Sequence, residues 1–226
     1  MRDMRPLDDD SLLYRLLMAV DIQGFSKRSV SEQTHAQRQL GAALESAATG
    51  TGLDRASWEK QAGGDGELAT LPEGVSPESV AGDFVIAFAG AVAALNAERG
   101  GAPRLRVRLA LHHGTMTPAG PFGPAGNAPI VVQRLLDSAG LRRTLDDDAA
   151  RDVAYVVSDS LFDDVIRTGF CALPPAAFRK IRVTAKGAVF HGHVMTGPFE
   201  RPGADAPPGP PVPPARVPGL AALTGR

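Results

Sequence analysis

Apolar and polar positions alternate between two rhythms along this chain. Leu12 to Ile22 is a long, mostly apolar run that predicts a buried strand leading into Asp21. From Lys27 to Ala48 the chain is polar, with spaced Val30, Leu40 and Leu44, which suits a long surface helix. Trp58 to Leu71 reads as a hairpin, because Gly63-Gly64-Asp65-Gly66 supplies turn residues between two short runs. Ser76-Pro77-Glu78 then opens a helix with a capping hydroxyl and a first-turn proline. Val80, Phe84, Val85, Phe88, Val92 and Leu95 give that helix its apolar face.

The second half continues the alternation. In Arg104–Leu111, Leu105, Val107, Leu109 and Leu111 fall on one side and Arg104, Arg106 and Arg108 on the other, the period of a half-buried strand. Interleaved prolines and glycines from Pro118 to Gly126 predict a loop, followed by an apolar helix over Ile130–Leu136. Asp152–Val157 reads as a strand, Ser160–Arg167 as a helix and Phe178–Val194 as a final strand pair. Strands interleaved with helices, plus two hairpins, predict an α+β fold with a mixed or antiparallel sheet.

Composition narrows the function classes. The 226 residues carry 24 Lys+Arg against 25 Asp+Glu, so no bulk charge draws the chain to nucleic acid or anionic membrane. One cysteine, Cys171, excludes an internal disulfide and a Cys-rich zinc site, and it reads as a small core residue. No run reaches the ~18 consecutive apolar residues of a membrane span. Asp8-Asp9-Asp10 stands where a signal peptide would turn apolar, so a cytoplasmic protein is expected. About half of the 19 prolines gather after Gly197, a composition that favours extended polyproline geometry over a packed core. The expected organisation is a loose N-terminus over 1–10, one folded domain over 11–197 and a proline-rich tail over 198–226.

Two acids stand where structure alone has little use for them. Asp21 ends an apolar strand, and a carboxylate there must be solvated, paired or metal-bound, since burying it bare costs several kcal/mol. Asp65 sits at a glycine-rich hairpin tip, where an aspartate by itself is an ordinary turn residue. Taken in order, four segments resemble the class III nucleotidyl (adenylate/guanylate) cyclase catalytic domain across roughly Leu12 to Val194. Asp21-Ile22-Gln23-Gly24-Phe25-Ser26 looks like its first metal motif and Gly64-Asp65-Gly66 its second. Val107–Gly114 is similar to its strand ending in His-x-Gly, and Gly126–Leu135 to its glycine-led helix with a catalytic arginine.

The resemblance implies a ferredoxin-like cyclase-homology fold and a head-to-tail homodimer with each site across the interface. Asp21, Asp65 and the carbonyl of Ile22 would hold two Mg²⁺ or Mn²⁺ ions, and Arg134 of the partner would stabilise charge on the α-phosphate. Phe25, Gln61, Gly123, Asn127 and Lys186 fall at nucleotide-binding positions, Lys186 at that of a triphosphate-contacting lysine. The product would be a 3′,5′-cyclic nucleotide, with a cyclic-nucleotide effector as a downstream partner.

The chain also departs from the family. Ile130 replaces an asparagine that orients the ribose, and Gln61 and Gly123 replace the lysine and aspartate that read adenine. Two explanations stay open. One is another base, as in the pyrimidine cyclases of bacterial anti-phage signalling. The other is a degenerate cyclase-homology domain that binds nucleotide or a partner without turnover.

Four further features read as structural. His191 and His193 share a strand face but have no third ligand, and are expected to be exposed. His112 and His113 point to opposite faces, with His112 packed. The Arg104, Arg106 and Arg108 stripe reads as a partner surface or a solvated face. Asp146-Asp147-Asp148 reads as a solvated helix end or loop.

Overall fold

In this computed structural model residues 12–201 are described, except 118, 121 and 122. The expected N-terminal arm over 1–10, most of the proline-rich tail and Pro118 and Pro121 of the expected loop lie outside the described residues. The alternating runs become a seven-stranded mixed sheet of order β2-β3-β1-β4-β7-β9-β8. Its members are β1 (Leu13–Ile22), β2 (Glu59–Ala62), β3 (Gly66–Thr70), β4 (Val107–Met116), β7 (Val153–Ser158), β8 (Phe178–Ala185) and β9 (Ala188–Met195). β4 and β7 run parallel, and the other neighbours are antiparallel. The short ladder β5 (Ala119–Gly120) with β6 (Gly123–Pro124) lies in the expected loop.

Period-2 alternation sorts the strands into two cores. Met18, Val20, Leu109, Leu111, Tyr155 and Val157 face a larger layer with Leu40, Leu44, Phe84 and Phe88. That layer is built by α1 (Val30–Gly50), by α2 (Pro77–Ser79) continued through a π turn over Val80–Phe84 into α3 (Val85–Ala97), and by α6 (Asp159–Leu161). Ser29 caps α1 in a reciprocal capping box with Glu32, and Ser76 caps α2. The run Pro77–Ala97 is long and apolar enough to cross a membrane by length and composition, but Phe84, Val85, Phe88 and Val92 are fully buried against the sheet.

The opposite face carries Leu17, Ala19, Ala110, Ala154 and Val156 under α4 (Asn127–Leu136) and α5 (Ala139–Asp146). The whole arrangement is an α+β sheet flanked by helices, as the alternation predicts. Helix α5 was not expected as an element of its own; Leu141 and Leu145 bury it, and the hydroxyl of Ser138 caps it.

The arginine stripe is not a solvated face. Arg104 pairs with Asp152, Arg106 donates to the carbonyls of Leu145, Asp148 and Arg151, and Arg108 pairs with Asp21. Each guanidinium meets an oxygen cluster formed by segments distant in sequence. His193 is also not exposed: its ring stacks on Phe162 at 3.7 Å and its Nε2 lies 2.8 Å from Asp159. His191 is exposed as expected, while His112 and His113 are both buried. Past Gly197 the chain remains in contact with the domain for a few residues, since Phe199 packs against the larger core.

Candidate functional site

β1 ends beside the β2–β3 hairpin at Asp21, which has the parity of Leu17 and Ala19 on the helix α4 side, and at Ile22, which joins the larger core on the other face. Their registers put Asp21 opposite Gly66 of β3 on one flank and Arg108 of β4 on the other. The amide of Ile22 donates to the carbonyl of Asp65 at 2.8 Å, and Gln37 of α1 donates to the carbonyl of Gly64 at 2.6 Å. The tip is therefore fixed by main-chain atoms, and the exposed Asp65 side chain is left for other work. Gly66 is required by close approach: a Cβ there would lie 1.8 Å from the carbonyl oxygen of Val20.

A polar cleft of about 410 Å³ opens at this junction. Asp21, Gln61, Asp65, Glu67, Gln133 and Asp137 line it. Asp21 is only 8% exposed and receives Nε and Nη2 of Arg108 on its two oxygens, the first at 2.8 Å. Burial still pushes its carboxyl up to about 6 against the pull of Arg108, and the charges of Asp65 and Asp137 add to the rise. Glu67 is raised for the same first reason, burial, and is held by Arg55 at 2.8 Å.

These charges test the fit of the divalent cation that the sequence resemblance implies. Asp21, Asp65 and Asp137 converge electrostatically with Arg108 as the cation on Asp21, so negative charge is in excess. Hard oxygen donors of this kind suit Mg²⁺ or Mn²⁺, which commonly take one or two carboxylates and complete their shell with water and substrate phosphates. Among the described residues, no three acidic, histidine or cysteine side chains are grouped closely enough to hold an ion by themselves. Asp21 and Asp65 are thus oxygen donors of the kind such an ion takes, and they number two. Arg108 and Asp137 are the residues that sequence reasoning missed. Arg108 had a signal, since an arginine in the strand that pairs with β1 can reach Asp21; Asp137, just past α4, had none.

The remaining expected residues are distributed unevenly. Gln61 joins the acidic pair in the cleft and touches Gly123, where a Cβ would meet its amide oxygen at 2.8 Å. The two positions expected to read the base are therefore neighbours within one chain. Gly123 has φ +104°, a conformation that favours glycine. Phe25 packs against the larger core. Asn127 is exposed at the start of α4, and Ile130, one turn on, is 51% exposed.

Arg134 does not line the acidic cleft but an adjoining groove with α5 and β8, which meets the cleft at Asp137. Lys186 occupies the β8–β9 turn with φ 49°, and β8 forms the opposite edge of the sheet from β2. Six strand spacings of ~4.8 Å separate those edges, on the order of 29 Å. Within one chain, that places Lys186 away from Asp21 and Asp65, and Arg134 lines the neighbouring groove and not their cleft.

No protein-family model and no curated protein sequence matches the chain. Solved structures do. The guanylyl cyclase Cya2 superposes with a TM-score of 0.57 at 13% identity, over 83% of this chain and 93% of that one. The adenylyl cyclase CyaB from P. aeruginosa gives 0.54 at 16% identity, over 84% and 98%. The guanylate cyclase domain of RhGC from Catenaria anguillulae, in complex with GTP, gives 0.50 at 16% identity, over 84% and 97%. At these identities the likeness shows the fold, that of nucleotide cyclase catalytic domains.

Proposed function

We propose that this chain is a nucleotidyl cyclase whose sites form between two copies. The observation that carries the reading is the division of the expected residues: Asp21 and Asp65 share a cleft that neither Arg134 nor Lys186 lines, Arg134 facing the adjoining groove and Lys186 lying in the β8–β9 turn at the far edge of the sheet. A head-to-tail pair brings the second set to the first. The 3′-hydroxyl of a nucleoside triphosphate gives its proton to solvent as its oxygen attacks the α-phosphorus, the bond from that phosphorus to the bridging oxygen breaks, and pyrophosphate leaves.

Mg²⁺ or Mn²⁺, when bound, lowers the pKa of the hydroxyl and neutralises the phosphates. Asp21, Asp65 and the Ile22 carbonyl would hold that charge in place. Arg134 of the second copy offers a guanidinium fork to the oxygens of the α-phosphate as charge builds there, and Lys186 contacts the triphosphate. The reaction would be carried by the domain expected over 11–197, which the Phe199 contact extends, in the cytoplasm.

Base choice follows from Gln61 against Gly123. An amide can donate and accept, and the glycine opposite adds no side chain, which disfavours the usual adenine contacts and suits a pyrimidine such as UTP or CTP. The product would then serve as a signal read by a cyclic-nucleotide effector, as in anti-phage systems. A second reading rests on Ile130, half-exposed where the family carries its ribose-orienting asparagine. Loss of one such donor costs ~10²–10³ in rate, and a non-catalytic nucleotide- or protein-binding module is the limiting case.

Incubation of the purified chain with ATP, GTP, CTP and UTP plus Mn²⁺ tests both. Cyclic product that disappears in Asp65→Ala supports the enzyme, and sedimentation at the assay concentration reads the dimer. No product from any of the four triphosphates supports the module.

A further inference from the structure

Helix α3 carries no charged residue anywhere along Val85–Ala97. Its inner face, with Val85, Phe88 and Val92, is buried against the sheet, while Gly90, Ala93, Ala94 and Ala97 are exposed. A helix that is apolar all round is ordinarily covered on both sides. Part of that cover is supplied by the chain beyond β9. Arg151 donates to the carbonyls of Met195, Thr196 and Gly197, and its guanidinium lies 5.8 Å from the centre of the Phe199 ring. Phe199 packs against the larger core, and Arg201 meets Asp83, near the start of the helix, at 2.6 Å.

Between this strap and α3 lies a groove of about 360 Å³. Gly90 and Ala93 line it from the helix, Pro198 and Phe199 from the strap, and Asp148 and Asp152 bring charge to it. Asp152 is held by Arg104. Asp148 is half-exposed, and its carboxylate stands 3.7 Å from the Arg151 guanidinium, whose donors are turned to the strap carbonyls. The groove therefore joins apolar walls to a carboxylate with room for a second cation.

We propose that this groove is the docking site of residues 216–223 of the same chain. Past Arg201 the sequence continues through residues 202–226, whose side chains include one carboxylate, Asp205, and two guanidiniums, Arg216 and Arg226. Of its aliphatic side chains larger than alanine, Val217, Leu220 and Leu223 follow directly on Arg216. That segment matches the groove in kind, aliphatic groups for the walls and a cation for Asp148, as Arg201 already pairs with Asp83. The reach is sufficient. Asp83 and Ala93 are about 15 Å apart at helical rise, and residues 202–216 span up to ~45 Å as extended polyproline. Pro202-Gly203 and Pro208-Gly209 supply turn residues for the return. The proposal is independent of the cyclase reading, none of whose residues lines this groove.

Limited digestion of the full chain with trypsin tests it, because a cut after Arg216 releases residues 217–226, which mass spectrometry counts. Leu220→Asp/Leu223→Asp is expected to be cut about tenfold faster than the unmodified chain, since cleavage follows the undocked population. Ala93→Trp, which fills the groove, is expected to accelerate the same cut equally, and Ala94→Trp, exposed on the helix outside the groove, to change it by less than about twofold. Thermal melting of each variant checks that the domain is folded. Equal cutting of the unmodified chain and the Leu220/Leu223 variant overturns the proposal. Acceleration by that variant without acceleration by Ala93→Trp also overturns it, since the segment then docks elsewhere. Protection that grows with protein concentration assigns the groove to the tail of a second copy and overturns docking within one chain.

Discussion

Asp21 and Arg108 sit directly opposite each other on β1 and β4 and are joined through both carboxylate oxygens. The pair lies at the floor of the acidic cleft, and Arg108 also reaches toward the carbonyl of Leu136 at 3.5 Å. The guanidinium therefore balances Asp21 in the absence of any other cation. A divalent ion that binds Asp21 must share or displace that contact.

Removing this partner exposes the cost of the buried acid. Arg108→Met should destabilise the metal-free chain by about 3 kcal/mol, because it strands a buried carboxylate. Urea unfolding in EDTA measures that loss. Repeating it with Mn²⁺ should restore part of the stability in the variant and much less in the parent. Equal stability of the two proteins in EDTA would show that the ion pair contributes nothing.

Asp65 presents the opposite case, an exposed side chain on a tip held by its backbone. Asp65→Asn should change unfolding free energy by less than about 0.5 kcal/mol, the range of ordinary surface substitutions. Mn²⁺ affinity, followed by electron paramagnetic resonance of the free ion, should fall by about tenfold or more with the lost charge. Unaltered Mn²⁺ binding would remove Asp65 from the site.

Gly66 has no room for a methyl group. Gly66→Ala forces the hairpin off Val20 and should cost more than about 3 kcal/mol or prevent folding. Gly64→Ala, where a Cβ meets nothing within 4 Å, serves as the control and should stay near the parent's stability. Thermal denaturation of the two side by side reads the difference.

His112 makes stability depend on acid. Burial holds its imidazole down to about 4, with His113 adding to the effect, and its Nδ1 lies 2.8 Å from the hydroxyl of Ser158. The unfolded chain takes up a proton near pH 6.5 that the folded chain refuses until about 4, so acid favours unfolding across that window. Between pH 7 and 4.5 the parent should lose about 2 kcal/mol that His112→Asn does not lose. Parallel pH dependences in the two proteins would assign the acid sensitivity elsewhere.

Strands and long helices were legible because one periodicity governs each of them. Asp21 and Asp65 stood out for a related reason: each interrupts a pattern that structure would otherwise complete with an apolar or neutral residue. The arginine stripe misled because alternation reports which face a residue occupies but not what covers that face. Helix α5 and the C-terminal end of α4 supply that cover, and the short apolar pattern of α5, Leu141 and Leu145, gives little to read in advance. His193 was misread similarly, since only the packing of Phe162 and Asp159 on β9 buries it. The contact of Gln61 with Gly123 depends on how a loop folds back over a strand, which no local rhythm encodes.

The hairpin tip separates two tasks that proteins often entangle. Backbone atoms moor its position, through the Ile22 amide and the Gln37 side chain, while the side chain at position 65 bears none of that mooring. Donor chemistry at this corner can therefore be exchanged like a fitting on a fixed bracket, carboxylate for thiolate or imidazole, without redrawing the scaffold that carries it.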